Sequence, residues 1–233
     1  AGALASARRE AESAFGDGTL MLERLIEDGR HVEVQLFGDS HGAFVHLGER
    51  DCTAQRRRQK VIEESPSPIV TPALREALTR DAIAAARAVG YRGAGTVEFI
   101  VDRALNHYFL EMNTRLQVEH PVTECVTGLD LVEWQIRIAD GEPLPLRQEE
   151  ITFSGHAIEA RLCAEDPYDG WKPQTGKILA WRPECAGLRV DHGIHAGDEV
   201  TPYYDSMVAK LIAHGTDRAD ARRRLARALE EAP

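Results

Sequence analysis

The chain has 233 residues, of which 43% are hydrophobic and 28% are charged, so it has room for one large or two modest globular domains. Its formal net charge of −10 argues against nucleic acid as a general partner, and there is no run of about 18 apolar residues that could span a membrane. The sequence shows no secretory signal pattern. Its cysteines, Cys52, Cys125, Cys163 and Cys185, form no Cys-x-x-Cys pair of the kind that binds zinc. We therefore expect reduced thiols in a cytoplasmic protein.

The first elements predicted are a helix and two strands. Residues 4–15 are rich in alanine and charged side chains and predict an amphipathic helix, which Gly16 and Gly18 would end. Alternating polar and apolar residues predict a strand at 30–36. The segment 38–42 predicts a turn, and 43–47 predicts the returning strand of a hairpin.

A basic run, QRRRQK, follows at positions 55–60. It holds four cations within five residues, which repel one another unless anions or acidic side chains compensate them. Guanidinium and ammonium groups are common oxyanion ligands, so the run is a candidate anion site. A solvated basic patch is the alternative interpretation.

A helix is predicted to begin at Thr71, which can act as N-cap, with Pro72 at its first position and Gly90 after its end. Its apolar stripe is expected to consist of Leu74, Leu78, Ile83 and Val89. This helix is expected to serve as scaffold.

Two β-rich runs, 96–101 and 108–112, flank a six-residue loop and predict a second hairpin. If the loop is symmetric, Glu98 falls directly opposite Glu111, and Cβ atoms in such pairs lie about 4.5 to 5.5 Å apart. Two carboxylates this close repel unless a cation separates them, and hard oxygen ligands suit Mg²⁺ or Mn²⁺. A solvated hairpin face carrying two charges is the alternative.

Every odd position from 111 to 119 carries a polar group able to bind a charge. In an extended chain these side chains share one face. They are Glu111, Asn113, Arg115, Gln117 and Glu119. Pro121 and the length of the stretch predict that the chain bends there to form a pocket.

The second half of the chain is predicted to form a helix, a linker and short strands. A helix is predicted at 128–139 and a linker at 143–150. Strands are predicted at 151–153, 156–163, 177–181 and 188–190, before a final helix capped by Thr216 or Asp217. Glu159 and Arg161 share one face of their strand, so a structural salt bridge between them is one interpretation.

Two long runs resemble the ATP-grasp region of biotin carboxylases: ERDCTAQRRRQKVIEESPSP at 49–68 and EMNTRLQVEHPVTE at 111–124. The similarity continues through YRGAGTVEF, GHAIEARLCAEDP and PYYDSMVAKLIAHG and covers essentially the whole chain. The later segments resemble acyl-CoA carboxylase α subunits of the methylcrotonyl- or geranyl-CoA type. The resemblance implies an α+β fold in which part of an ATP-grasp domain precedes an incomplete biotin carboxylase C-terminal domain of mixed strands and helices.

The same resemblance implies domain limits. Residues 1–18 would end the lid subdomain, 19–145 would form the catalytic subdomain, and 150–233 would belong to the C-terminal domain. The family's N-terminal domain and its Gly-rich phosphate loop are expected to be missing from these residues. We therefore expect the isolated 233 residues to be inactive.

The implied activity is that of a ligase that uses MgATP and bicarbonate to form carboxyphosphate and then carboxylates biotin on a carrier protein. The implied nucleotide contacts are Glu23, Arg24, Ile26, His31, Gln55, Arg58 and Ile100. The implied metal ligands are Glu98, Glu111 and Asn113. Bicarbonate and biotin are expected to contact Lys60, Arg115, Gln117, Val118 and Arg161. Within this set the catalytic residues are Glu119 as general base, with Arg115, Lys60 and Arg161, the last of which would steady the biotin enolate.

Two positions depart from the family pattern. Arg58 stands where many relatives have histidine, and an always-charged fork there favours phosphate contacts. Trp171 and Lys172 replace the usual Phe-Leu pair, which we interpret as a packing difference.

The implied partners are ATP, bicarbonate, the biotin carboxyl carrier domain and a carboxyltransferase subunit, in a homodimer or larger complex without nucleic acid or membrane. Two alternatives are open. One is another bicarbonate-activating ATP-grasp ligase, such as the large subunit of carbamoyl-phosphate synthetase, from which Arg161 and its surrounding segment would distinguish this chain. The other is a non-catalytic module retained for subunit contact.

Overall fold

The computed structural model of the chain describes residues 2–182 and 187–231, so Cys185 lies outside the described residues. The strands are β1 Arg30–Gly38, β2 Phe44–Arg56, β3 Gln59–Ser65, β4 Gly93–Val101, β5 His107–Asn113, β6 His156–Cys163, β7 Glu165–Asp166, β8 Lys172–Pro173, β9 Gly176–Lys177, β10 Leu188–His192, β11 Glu199–Val200 and β12 Met207–Gly215. The α-helices are α1 Gly2–Phe15, α2 Pro72–Ala88, α3 His120–Thr127, α4 Leu131–Ala139 and α5 Arg218–Glu231, with a 3₁₀ turn at Gln148–Glu150.

One antiparallel sheet of eight strands organises the described residues. Its order is β10-β12-β6-β3-β2-β1-β4-β5, while β7 pairs with β8 and β9 pairs with β11 in two small ladders. Strands from both halves of the chain therefore share the large sheet, because β3 pairs directly with β6. The expected domain division at 145–150 stays a prediction.

Helices cover both faces of this sheet. On one face α2 packs against β1 and β4, and α5 packs against β6 and β12. On the other face lie α3 and α4, which bury Val122 and Trp134 against the strands. No helix among the described residues is long and apolar enough to cross a membrane.

Alternate side chains of β1 point to opposite faces of the sheet, and one face is apolar while the other is polar. Val32, Val34 and Leu36 point toward α2 and are fully buried in its core. Glu33 and Gln35 point to the opposite face and are also fully buried. Buried polar groups need partners, so this second face has to carry compensating donors.

Several local predictions are confirmed. The helix at 4–15 is α1, the strands at 30–36, 156–163 and 188–190 fall within β1, β6 and β10, and the α+β fold is as expected. Thr71 caps α2, because its Oγ1 accepts a hydrogen bond from the Leu74 amide at 3.2 Å. Asp217 Oδ1 accepts one from the Asp220 amide at 2.8 Å at the start of α5. Cys52, Cys125 and Cys163 are free.

The hairpin register is also confirmed. Glu98 is the direct partner of Glu111, and Thr96 is the direct partner of Asn113. A bulge after Glu98 then shifts the pairing by one residue, so that Phe99 faces Phe109. The symmetric-loop assumption therefore gave the correct pairing at the charged end of the hairpin and the wrong one at its loop end.

Other predictions are wrong. The chain does bend after Asn113 to form a pocket, as predicted, but the turn leads into a helix, α3, that was not predicted. The β-branched sequence VTECVT did not indicate this helix, because burial against β6 overrides propensity there. The basic run forms the turn between β2 and β3, and β3 was not predicted. No strand forms at 151–153, and the strand predicted at 177–181 is reduced to β9. Val89 is 69% exposed and does not belong to the apolar stripe of α2.

Replacing the α2 cap tests the contribution of Thr71. We expect Thr71→Ala to lower the free energy of unfolding by about 1 kcal/mol, because the Leu74 amide loses its acceptor. Thr71→Ser keeps a hydroxyl and serves as control. Urea denaturation of the purified protein measures both, and equal stability of the two variants would contradict the cap.

Candidate active site

Four charged residues lie side by side across four strands. Glu111 on β5 pairs with Glu98 on β4, Glu98 pairs with Glu33 on β1, and Glu33 pairs with Arg50 on β2. Directly opposed residues point to the same face, so the row lies on the α3 side of the sheet. Glu98, Glu33 and Arg50 are buried while Glu111 is exposed. The row therefore runs from the core of the sheet to its surface.

Arg50 is fully buried, and all five N–H groups of its guanidinium donate a hydrogen bond. The acceptors are Glu33 Oε1 at 2.6 Å, Gln35 Oε1 at 2.7 Å, Gln117 Oε1 at 2.9 Å, Thr123 Oγ1 at 3.1 Å and Thr96 Oγ1 at 3.2 Å. Burial by itself would lower the pKa of Arg50, but the surrounding negative groups, Glu33 foremost and then Glu119, together outweigh burial and raise it. The network ties β1, β2, β4, the turn after β5 and α3 to one cation.

Lys60 supplies a second cation at the edge of this network. Its Nζ donates to Glu119 Oε1 at 2.6 Å, Glu33 Oε2 at 2.7 Å and Glu98 Oε1 at 2.8 Å. Burial lowers the pKa of Lys60, but the surrounding carboxylates, Glu33 foremost, raise it above its ordinary value. Lys60 therefore keeps its charge at every physiological pH, and acidic side chains compensate this member of the basic run.

Glu98 accepts hydrogen bonds from several sides. Its Oε1 also accepts from Gln117 Nε2 at 2.9 Å and from Asn113 Nδ2 at 3.0 Å, and its Oε2 lies 2.7 Å from His31 Nε2. Burial raises the pKa of Glu98, but the contacts with His31 and Lys60 outweigh burial and lower it to about 2. Glu98 is therefore an anion throughout the working pH range.

The predicted metal ligands lie on one side of the hairpin. Asn113 Nδ2 is 3.0 Å from Glu98 Oε1 and 3.3 Å from Glu111 Oε1, so both carboxylates approach one amide. Two carboxylates and an amide oxygen form a donor set that fits a hard divalent cation. Binding of such a cation would require the Asn113 amide to turn its oxygen toward the carboxylates. These residues fit the metal, and their role as ligands stays a prediction.

Arg161 reaches across from β6 to the same cluster. Its Nε donates to Glu63 Oε1 at 2.6 Å and its Nη2 donates to Glu119 Oε2 at 3.0 Å. The salt bridge considered between Glu159 and Arg161 is therefore wrong, because both carboxylate oxygens of Glu159 lack a hydrogen-bond partner. Glu119 instead has Lys60 on one oxygen and Arg161 on the other.

These side chains open onto a pocket of about 320 Å³. Its lining includes the predicted residues His31, Arg58, Lys60, Glu98, Glu111, Asn113, Arg115, Gln117, Val118, Glu119 and Arg161. A larger surface pocket of about 550 Å³, beside β10 and β12, contains none of the predicted site residues. The smaller pocket is thus the candidate active site.

Of the remaining predicted nucleotide residues, Gln55 and Ile100 lie beside the lining residue His31. Gln55 Nε2 donates to His31 Nδ1 at 2.9 Å, which leaves the Nε2 proton of His31 facing Glu98. Ile26 and Ile100 flank Gly29 so closely that a Cβ there would lie 2.4 Å from Ile100 Cγ2. Two further predicted residues, Glu23 and Arg24, are exposed on the segment between α1 and β1 and do not line the pocket.

Four residues of the site were missed by the sequence reasoning. Glu33 holds the cations Arg50 and Lys60, Glu63 holds Arg161, and Lys210 Nζ donates to the Val118 carbonyl at 2.8 Å. The alternation in RHVEVQL contained a signal for Glu33, because a central strand with a polar second face implies a buried polar cluster. No local signal identifies Arg50, Glu63 or Lys210.

Comparisons with known proteins are consistent over almost the whole chain. The family described as carbamoyl-phosphate synthase L chain, ATP binding domain, matches residues 1–147, and the biotin carboxylase C-terminal domain matches residues 159–233. The chain is 55% identical over 230 residues to a biotin carboxylase of Halalkalibacterium halodurans, covering 98% of this chain and 51% of that protein. It is 53% identical over 230 residues to the mitochondrial methylcrotonoyl-CoA carboxylase subunit alpha of Rattus norvegicus, covering 98% of this chain and 32% of that protein.

A solved structure agrees with these sequence matches. The biotin carboxylase domain dimer of the Hydrogenobacter thermophilus 2-oxoglutarate carboxylase, in complex with MgADP, ADP and bicarbonate, superposes with a TM-score of 0.94 at 50% identity. The match covers 98% of this chain and 51% of that one. The chain thus spans about a third to a half of the length of these relatives.

Substitution of Arg50 tests whether the site depends on its guanidinium. We expect Arg50→Lys to lower the free energy of unfolding by about 3 kcal/mol or more, because the ammonium keeps the charge and leaves buried acceptors unpaired. The control is Arg80→Lys, which alters an exposed pair with Asp81 and should leave stability unchanged. Similar urea midpoints for both variants would show that the buried network is dispensable.

Proposed function

The chain belongs to the biotin carboxylase family, and we propose that its pocket is where bicarbonate is activated at the expense of MgATP and biotin is carboxylated. The observation that carries the proposal is the position of Glu119, a buried carboxylate held between Lys60 and Arg161 at the pocket wall. A general base, an anion-binding cation and a second cation for a developing enolate are the groups that this chemistry requires.

The metal and nucleotide end of the pocket is formed by the hairpin. Glu98, Glu111 and Asn113 would hold Mg²⁺ or Mn²⁺, which when bound offsets the charge of the phosphates. Arg58 on the β2–β3 turn would contact phosphate. For the adenine and ribose we propose His31, Gln55, Ile26 and Ile100, with the segment that contains Glu23 and Arg24 closing over them.

The bicarbonate end is formed by the turn after β5. Lys60, Arg115, Gln117 and the Val118 backbone would bind the anion, and Glu119 would take its proton so that carboxyphosphate can form. Lys60 and Arg161 both contact the Glu119 carboxylate, so bicarbonate would share Lys60 with the base. Arg161 would then steady the enolate of biotin.

The wider assignment follows the relatives. We propose an acyl-CoA carboxylase of the methylcrotonyl- or geranyl-CoA type, working with a biotin carboxyl carrier domain and a carboxyltransferase subunit in a dimer or larger complex. The match of residues 159–233 to the biotin carboxylase C-terminal domain favours this reaction over carbamoyl-phosphate synthesis. We also propose a cytoplasmic location, which the free thiols of Cys52, Cys125 and Cys163 in the described part of the chain support, since reducing compartments keep thiols free.

Glu119→Gln tests the general base in the natural polypeptide that carries this sequence. We expect bicarbonate-dependent turnover to fall by about 10² to 10⁴, because an amide cannot accept the proton, while ATP affinity is kept. Glu133→Gln, on the exposed side of α4, is the control for loss of one carboxylate. Turnover near the wild-type value would assign the base to another group, and a parallel loss of ATP affinity would place Glu119 at the nucleotide.

Glu111→Gln tests the metal site. The exposed position of Glu111 spares the fold, and we expect binding of Mn²⁺ with ADP, followed by electron paramagnetic resonance, to weaken about tenfold or more. Glu76→Gln on α2 is the control. Unchanged Mn²⁺ binding in Glu111→Gln would remove Glu111 from the metal site.

The 233 residues alone are expected not to carboxylate free biotin. They span 51% of the bacterial biotin carboxylase, and a reactive phosphorylated intermediate requires a site closed against water. Biotin carboxylation by the purified 233-residue chain, compared with the natural polypeptide, measures this. Activity within about tenfold of that polypeptide would show that these residues suffice for catalysis.

A further inference from the structure

A buried pair of carboxylates lies behind Arg161, and the reaction proposed above does not use it. Glu63 on β3 and Glu159 on β6 are direct partners in the antiparallel ladder, and both side chains are 0% exposed. Residues opposed in this way point to the same face with Cβ atoms about 4.5 to 5.5 Å apart. The register therefore forces two carboxyl groups together inside the protein, away from the pocket.

The oxygen atoms of this pair are incompletely satisfied. Glu63 Oε1 accepts a hydrogen bond from Arg161, while Glu63 Oε2 and both oxygens of Glu159 are buried without a hydrogen-bond partner. An ionised carboxylate left in that state is strongly disfavoured. A proton on Glu159 changes the balance, because a carboxylic acid donates one hydrogen bond and Glu63 Oε2 is an acceptor without a donor.

The charges around the pair leave room for one negative charge only. The charged groups that face it are Arg161 on β6, Lys210 on β12, Glu119 before α3 and Glu33 on β1, and the thiol of Cys125 on α3, whose pKa burial raises, faces Glu159. Arg161 is shared between Glu63 and Glu119, and Lys210 Nζ donates to the Val118 carbonyl and lies 3.6 Å from Asp191 Oδ2. Glu33 is committed to Arg50 and Lys60.

The protonation of the pair follows from this setting. Burial raises the pKa of Glu63 to about 7 in spite of the attraction of Arg161. Burial, followed by repulsion from Glu63, raises the pKa of Glu159 well above its ordinary value. At neutral pH the pair therefore holds at least one proton, with Glu159 as the neutral partner.

We propose that Glu63 and Glu159 share one proton, so that the pair carries a single negative charge and positions Arg161 for its contact with Glu119. Two charges on the pair would draw the guanidinium away from Glu119, and none would leave it on Glu119 alone. With one charge on the pair, the guanidinium donates both to Glu63 and to the proposed base, Glu119. Both residues are positioning residues, and this inference rests on the function proposed for Arg161 and Glu119.

Infrared difference spectroscopy on the natural polypeptide tests the shared proton directly. We expect a stretching band of a buried carboxylic acid at neutral pH, which Glu159→Gln removes. The matched control is Glu64→Gln, on the adjacent position of β3, where burial is outweighed by His156 and Arg218 and the pKa is lowered to about 2. A spectrum that is the same in wild type and Glu159→Gln would overturn the proposal.

The dependence of stability on pH gives a second test without turnover. Because the pKa of Glu159 is raised in the folded state, its stabilising contribution is complete below the ordinary value of 4.5 and is lost as the pH rises toward the folded value. Glu159→Gln should therefore lose less stability between about pH 5 and 8 than wild type does. Glu64→Gln should show the wild-type slope in that range, since its contribution changes only below 4.5. A wild-type slope in Glu159→Gln would contradict the proposal.

The pH profile of biotin carboxylation tests the positioning role. In wild type we expect turnover to fall below about pH 7, where the pair takes up its second proton and releases Arg161. In Glu159→Gln the single carboxylate left beside Arg161 ionises at lower pH, so this acid limb should move down by about one pH unit or more. An unmoved acid limb would overturn the positioning role. If the infrared and stability results hold while wild type does not carboxylate biotin, the shared proton stands and the function proposed for the pocket fails.

Discussion

The buried guanidinium of Arg50 is the constraint on which the site depends. All five of its N–H bonds require acceptors because no water reaches it, and the chain supplies them from β1, β4, α3 and the turn after β5. One of these acceptors, Gln117, also donates to Glu98, and the backbone that carries Gln117 continues to Glu119. A residue that does not line the pocket therefore fixes two carboxylates that do.

Charge balance then decides what the pocket can bind. Its carboxylates are matched by Lys60 and Arg161, each of which is divided among two or more acids, while Arg50 pairs with Glu33 alone. A cation that contacts several acids can exchange one of these contacts for a contact with an incoming anion, because its remaining contacts keep the charge paired. Such an arrangement suits the binding of small oxyanions, and the pairing of charges explains how so many polar side chains can be buried in the sheet.

The parts of this structure that sequence could predict are those with local causes. Thr71 before proline, Asp217 before α5 and the pairing of Glu98 with Glu111 all follow from interactions within a few residues or one hairpin. The helix α3 packs mainly on β6, and β3 pairs with β6 on the edge that its hairpin partner β2 leaves open, so both depend in part on residues far along the chain. The long runs at 49–68 and 111–124 indicated the family, whereas the buried partners Arg50 and Glu63 become visible only when distant strands are placed side by side.

The ladder between β3 and β6 joins the two portions of the chain that match separate family models. Ile62, Glu63, Glu64 and Ser65 pair in sequence with residues of β6, so the seam between the portions is a row of backbone hydrogen bonds inside one sheet. Cutting the connecting segment at 143–150 would leave this seam intact, and the portions should unfold as one cooperative unit. A chimera that exchanges the C-terminal portion between relatives would replace the β6 member of every residue pair between β3 and β6. Among the replaced residues would be Glu159, which faces Glu63.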